Sequence, residues 1–331
     1  MIYVLIAVFN ILLIVISLAT GAGQISFTEL FSFLGNSLDN ESIRYIFSDL
    51  RVPRTFALVS IGLSLGYSGI ILQTILDNPL SEPYTLGLSG GATLGAVIAL
   101  LIGIQPVWLS LPAGSIIGCV IITIFVLGFS QKKYLWKSNS MILVGVMISL
   151  FCGAFVTLII SLLEPSKMQL AIFWMMGQVG SPRDLWWIYL FLLFTAALIY
   201  GLWNKVHLDR FLIGEDLAVN LGTNTKKIRT RFIILVCLLT SISVSIAGLV
   251  GFVGLVAPHI TYAILKTKRH GKTLVVAPLV GSALFLISDI LSRLMSRDIE
   301  IPAGSLMALI GAPILIYFLI NGFKNKAVKN A

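Results

Sequence analysis

Apolar residues in this chain gather into long runs, separated by short polar stretches or by segments carrying glycine and proline. A run of about 20 apolar residues with few charges is what a helix needs to cross the hydrocarbon layer of a bilayer. Ten such runs are predicted as spans, at roughly 1–20, 54–76, 84–103, 112–130, 139–163, 185–203, 230–250, 252–265, 273–296 and 304–322. The first lacks a basic leading region and is longer than a signal-peptide core, so it reads as a span. The third and eighth are short. Each is entered through a proline-bearing segment, Asn78-Pro79-Leu80-Ser81-Glu82-Pro83 and Ala257-Pro258-His259, where proline removes a backbone donor and interrupts the helical ladder. Irregular backbone at that depth has to face protein or water, not lipid.

Composition agrees with this pattern. Of 331 residues, 57% are hydrophobic and 11% charged, and mean hydropathy is +0.99, a balance that no soluble domain of this length hides in one core. The expected fold is all-α: a polytopic integral membrane protein of about ten transmembrane helices, one domain over 1–331. The formal charge of +9 is scattered among short loops, which is the signature of membrane orientation and excludes a nucleic-acid patch. With a cytoplasmic amino terminus and alternating spans, sixteen of the 23 Lys and Arg fall inside and seven outside, so both termini are predicted on the cytoplasmic side of the cell membrane. Cys119, Cys152 and Cys237 all sit in apolar runs without metal-ligand spacing, where free cysteine acts as a small hydrophobe. Gly62, Gly66 and Gly69, and Gly87, Gly91 and Gly95, recur at helical spacing and mark faces for close packing in lipid. The stretches 54–163 and 230–322 each run long helix, short proline-entered helix, long helix, long helix, with opposite orientation, which predicts an inverted repeat.

The longest inner loop, 204–229, holds the segment Leu212-Ile213-Gly214-Glu215-Asp216-Leu217-Ala218-Val219-Asn220-Leu221-Gly222. It reads as a short capped helix. Glu215 and Asp216 favour the positive dipole end, Gly222 suits a left-handed terminator, and Leu217, Ala218 and Leu221 are expected to share one apolar face.

Six motifs in order resemble the FecCD-type permease family of ABC importers for iron-siderophores, haem and cobalamin. They are Leu50-Arg51-Val52-Pro53-Arg54-Thr55, Asn78 to Pro83, Gly214-Glu215 through Leu221-Gly222, Gly251-Phe252-Val253-Gly254-Leu255-Val256-Ala257-Pro258-His259, Asp289 with Arg293, and Glu300-Ile301-Pro302-Ala303-Gly304 continuing to Gly311-Ala312-Pro313. The resemblance implies a permease that pairs with a second permease subunit, identical or homologous. Two cytoplasmic ATPase subunits and an external substrate-binding protein complete the assembly it implies, with ATP used by the partners and no cofactor bound by this chain. It further implies that residues 214–222 insert into a groove on the ATPase. Arg51, Arg54 and Arg293 match the family's outer basic residues that meet acidic groups of the binding protein, and Arg297 extends that face. Asn78, Pro79, Glu82, Pro83, Gly251, Gly254, Pro258 and His259 mark the helix breaks along the pathway. The expected cargo is an iron chelate of the siderophore or haem class.

Other readings of the residues remain beside these. Asp289 and Arg293, four apart, also suit an ion pair within one helix. Ionisable groups inside a membrane are usually functional, and Asp289 is the one candidate, whereas a cation-coupled secondary carrier, the main alternative, calls for carboxylates at broken helices. Lys266 to Thr273 ends in Gly-Lys-Thr but has Lys266 where a phosphate loop needs its first glycine. His259 is expected to satisfy backbone groups freed by the break, and His207 and His270 lack metal-ligand spacing. Trp174-Met175-Met176-Gly177 is read as packing outside the fifth span. No nucleophile, metal or carboxylate constellation points to an enzyme.

Overall fold

The structure is a computed structural model, and it describes residues 2–21, 33, 40–130, 138–179, 186–295 and 301–329. Ten apolar helices account for the spans: α1 (Ile2–Ala19), α2 (Val52–Ile75), α3 (Leu88–Ile102), α4 (Val107–Ser130), α5 (Ser138–Leu162), α6 (Trp186–Trp203), α7 (Thr225–Ala247), α8 (Val253–Leu265), α9 (His270–Met295) and α10 (Ala303–Lys329). Seven are long and apolar enough to cross a membrane, and α3, α8 and the apolar part of α10 are shorter. At 1.5 Å per residue, the 15 residues of α3 and the 13 of α8 reach about 22 and 20 Å, short of the roughly 30 Å hydrocarbon layer. The entry of α8, Gly248 to Phe252, is buried or half-buried, whereas that of α3 opens on exposed residues at Asp77, Pro79 and Leu80 before Ser81 turns inward.

Capping and proline set several boundaries. Asn40 accepts from the Ser42 and Ile43 N–H groups and starts a short helix, Glu41–Tyr45. This runs through a π-helical turn, Ile46–Arg51, directly into α2, where Pro53 sits at the first turn. The second span thus has a helical extension that the apolar run did not disclose. Asn224 caps α7 by accepting from the Lys227 N–H. The first break is as expected: Pro83 opens a single 3-10 turn, Pro83–Leu86, and Gly87 takes a left-handed φ of 88° before α3. The second is not. Pro258 lies inside α8, and the chain actually breaks earlier, over Gly248 to Phe252, with both ends at φ 68°. The Gly254 carbonyl, which Pro258 leaves without its intrahelical donor, lies against Gly69 of α2.

The bundle is layered around α2 and α9. Some 89% of the most apolar window of the helix ending in α2, and 78% of that in α9, is buried, against 22% for each of α1, α5 and α6. Burial here is protein against protein, so dispersion and close approach have to hold the pair together without a hydrophobic drive. Small residues supply it. A Cβ on Gly62 would stand 2.5 Å from the Ser282 Cα, and one on Gly66 2.5 Å from the Ala277 carbonyl oxygen. Around this pair, α3 packs on α4 and α5, and α8 on α9 and α10, while α2 packs on α9 and α7 on α4. Exchanging α2–α5 for α7–α10 maps each of these contacts onto another.

Gly66→Ala is expected to destabilise the permease by about 1–3 kcal/mol through overpacking, read as a fall in thermal midpoint in detergent. Gly128→Ala, on the lipid-facing side of α4 with nothing within 4 Å, is the control and should leave the midpoint unchanged.

Candidate functional site

Three groups of predicted residues fall at three levels of the bundle. The first is the loop between α6 and α7. It folds into two short helices, Lys205–Phe211 and Glu215–Asn220, joined through Gly214 at φ 105° and closed by Gly222 at φ 81°. The expected apolar face is corrected here. Ala218 is fully buried against the bundle, and Leu217 and Leu221 point out, at 54% and 52% exposed. Leu212, Ile213 and Val219 are exposed beside them, which makes an apolar patch on a polar loop outside every span, a mark of a partner surface. Asp216 is exposed at its edge. Glu215 turns inward instead and pairs with Arg229 at 2.8 Å. Arg229 is only 2% exposed and lies 5.8 Å over the Phe211 ring. It stands among Lys226, Lys227 and Arg231, and nothing in the Lys/Arg spacing marks it as buried.

The second group is where the breaks meet. Although far apart in sequence, they meet: the Val250 N–H donates to the Tyr84 hydroxyl at 2.9 Å, and the Glu82 carboxyl faces the Phe252 N–H. Unpaired backbone at this depth is costly, so Glu82 and Tyr84 act as partners for the neighbouring break. Glu82 is a second acidic group within the bundle, half-buried where Asp289 is fully buried. Gly254 closes the contact, packing between Gly69 and Pro83, and a side chain on Gly251 would meet nothing within 4 Å. Asn78 folds its own turn by accepting from the Leu80 N–H at 2.9 Å. His259 donates through Nδ1 to the Leu255 carbonyl at 2.8 Å, which also accepts from Gln73 Nε2 at 3.3 Å. Between the first break and the loop lies a cavity of about 220 Å³, lined among others by Gln73, Asn78, Pro79 and Leu212. Near the start of α10, Gly304 donates to the Gly177 carbonyl at 3.0 Å and the Trp174 carbonyl lies against Gly248, so this stretch packs.

The third group is the arginines at the opposite end of α2 and α9. The sequence suggested a surface, and the structure turns them inward. Asp289, fully buried, takes Arg54 through Nη2 at 3.0 Å and Nε at 3.2 Å, and Arg293 at 2.7 Å. Both readings of Arg293 are thereby refined: the pair within α9 exists, and it reaches across to α2. The last carbonyls of α1, which have no N–H donor of their own within the helix, are met by the same cluster. Arg51 donates to the Leu18 and Ala19 carbonyls at 2.8 and 3.2 Å, and Arg293 to those of Ser17 and Thr20 at 2.9 and 2.6 Å. Arg297 lies outside the described residues.

Among the described residues there is no cluster of three or more His, Cys, Asp or Glu that would hold a metal. A multi-pass helical bundle with broken helices meeting at its centre and an apolar patch on one polar loop defines a membrane transport subunit that works with partners. The match to known proteins makes that specific: a model of the FecCD transport family matches residues 8–321, and the chain belongs to this family. It is an ABC importer permease of the FecCD type. It is 34% identical over 274 residues to the vitamin B12 import system permease protein BtuC of Vibrio vulnificus (strain CMCP6), covering 82% of each chain. It is 35% identical over 293 residues to the uncharacterized ABC transporter permease protein YvrB of Bacillus subtilis (strain 168), covering 86% of this chain and 82% of that one. A solved structure described as an inward-facing conformation of a metal-chelate type ABC transporter superposes with a TM-score of 0.82 at 26% identity, over 96% of this chain and 98% of the other.

Removing the carboxylate of Asp289 leaves two buried guanidinium groups facing each other, a loss of about 3–5 kcal/mol. Asp289→Ala should therefore lower the yield and thermal midpoint of solubilised protein, and adding Arg54→Ala to it should recover part of the loss, measured as a double-mutant cycle.

Proposed function

We propose that this permease carries a metal chelate inward, of the iron-siderophore or haem class, by alternating access driven by two ATPase subunits that grip the loop between α6 and α7. The observation that carries the reading is the exposed apolar patch of Leu212, Ile213, Leu217, Val219 and Leu221. Such a patch on an otherwise polar loop fits insertion into a groove on a soluble partner. The loop then faces the cytoplasm, which agrees with the excess of Lys and Arg on that side and with both termini inside. A second permease subunit completes the pathway, and the matching contacts of α2–α5 and α7–α10 support two inverted halves that exchange roles as it opens to either face.

An external binding protein delivers the cargo at the arginine end of α2 and α9. Because Arg51, Arg54 and Arg293 are engaged within the chain, docking acids have to share or replace those partners. The similarity to a metal-chelate type transporter supports the chelate class, and the similarity to vitamin B12 import permeases supports cobalamin as the second reading. A cation-coupled carrier is disfavoured at Asp289, the fully buried carboxylate, because Arg54 and Arg293 neutralise it.

The complex in phospholipid vesicles, with its ATPase subunits and binding protein, should take up a radiolabelled ferric hydroxamate or haem only when ATP is supplied, with cyanocobalamin a weaker competitor. Preferred uptake of cyanocobalamin would settle the second reading, and uptake by the permease alone on an ion gradient would refute the ATP-driven one. Leu217→Asp combined with Leu221→Asp should weaken co-purification of the ATPase subunits by about 30-fold or more, as expected for anchors at the centre of an interface.

A further inference from the structure

The ends of the two most buried helices, at the loop side, are held by side chains of the loop itself or by residues bound to it. The Ile75 carbonyl at the end of α2 belongs to the final turn, where acceptors lack intrahelical donors. It takes a hydrogen bond from Arg229 Nε at 3.0 Å, and the same guanidinium donates through Nη2 to Glu215 of the loop helix at 2.8 Å. At the other side, α9 begins at His270, whose N–H is one of the orphan donors of a helix start. Its cap comes from 61 residues away: Asp209 accepts from the His270 N–H at 2.8 Å and from Nδ1 at 2.7 Å. Nδ1 carries that proton, and Nε2 lies 2.8 Å from the Thr74 hydroxyl, one residue before the end of α2. Burial alone would raise the Asp209 carboxyl, but the ring and backbone hydrogen bonds from His270 and the charge of Arg269 outweigh it, and the group sits below its ordinary range.

We infer that Asp209, His270 and Arg229 form the linkage that carries movement of the loop segment Lys205–Asn220 into the joined ends of α2 and α9; this rests on the proposed role of that loop as the ATPase contact. These are positioning residues, acting through hydrogen bonds and not on cargo. Three features favour the assignment. Hydrogen bonds to charged groups are short and directional, so displacement passes through them with little slip, and both His270 and Arg229 are shielded from water at 0% and 2% exposure.

The Glu215–Asn220 helix also carries the apolar patch on its outer side and the Glu215–Arg229 pair on its inner side, so a push on one is felt by the other. The third feature is room to move. The cavity of about 220 Å³ touches Gln73 and Thr74 in the last turn of α2 and is bounded by Leu212, Tyr262 and Lys268. A close-packed interior would resist such a shift. Asp77, just beyond α2, has the left-handed φ of 43° of a helix terminator, and the Asp77 and Asn78 N–H groups bond back to the Thr74 and Gln73 carbonyls, so the last turn of α2 is a closed cap beside that cavity. The far end of the same helix pair is fixed by Arg54, Asp289 and Arg293.

Leu80, exposed at 45% in the break that follows α2, serves as the reporter, and the native Cys119, Cys152 and Cys237 are buried. Leu80→Cys permease assembled with its ATPase subunits in phospholipid vesicles is labelled with a charged maleimide, with and without a non-hydrolysable ATP analogue. The nucleotide should change the labelling rate by about fivefold or more, the lower range of allosteric coupling. Thr74→Val and His270→Phe should each lower that ratio by about half or more, with the Arg229 arm left in place, while the ATPase subunits still co-purify and hydrolyse ATP. Thr74→Val leaves the Asp209 cap on α9 in place, which separates loss of the linkage from loss of the fold. A nucleotide effect that persists undiminished in both variants, or that is absent without them, would overturn the linkage. If the ATPase subunits fail to bind the unmodified chain, the proposed function itself is lost.

Discussion

Lipid offers no hydrogen bonds, so a helix that ends or breaks inside a membrane protein must find its partners within the protein. Much of this structure follows from that constraint. The end of α1 is met by Arg51 and Arg293, the end of α2 by Arg229, the start of α9 by Asp209, and the two central breaks by Glu82 and Tyr84. In each case a side chain from a distant part of the chain does for a helix terminus what water would do in a soluble protein. The charged residues of a chain with few charges are thereby concentrated at junctions between helices.

That placement explains why α2 and α9 form the centre of the bundle. Along their length they approach through glycines and other small residues, a contact that tolerates little sideways change because backbone meets backbone. At one end Arg54, Asp289 and Arg293 pin them, and at the other the loop between α6 and α7 holds both. A pair so joined moves as a unit or not at all. The surrounding helices α1, α5 and α6, with most of their surface outward, are free to meet lipid or other subunits.

The sequence made the number and order of helices legible, since apolar runs near the span length are a strong and local signal. Proline was a less certain guide. Pro83 marks a real break, whereas Pro258 sits within α8, where it removes one intrahelical hydrogen bond without ending the helix. Helical periodicity put Ala218 on the same face as Leu217 and Leu221, yet a six-residue helix packs through one small residue, and Ala218 is that residue. The site charges were the least legible. The pairing of Asp289 with Arg293 follows from a spacing of four, but Arg54 lies 235 residues away from Asp289, and Arg229 is lost among neighbouring lysines.

For transport, the consequence is a division of labour between rigid and yielding parts. The meeting point of the breaks carries Glu82, Tyr84 and Gly254 and joins the two halves directly, so the halves cannot separate there without exchanging hydrogen bonds. The loop end is different: it has an open cavity beside α2. In the proposed coupling, force arriving at the apolar patch reaches the last turn of α2 beside that cavity, and the glycine seam carries the displacement along both helices toward the arginine cluster. A change in how Arg51, Arg54 and Arg293 are partnered travels the same path in reverse, because coupling between two sites through one mechanical element is reciprocal. Cargo delivery at one face and nucleotide use at the other then act on the same pair of helices, and neither requires a titrating carboxylate in the pathway.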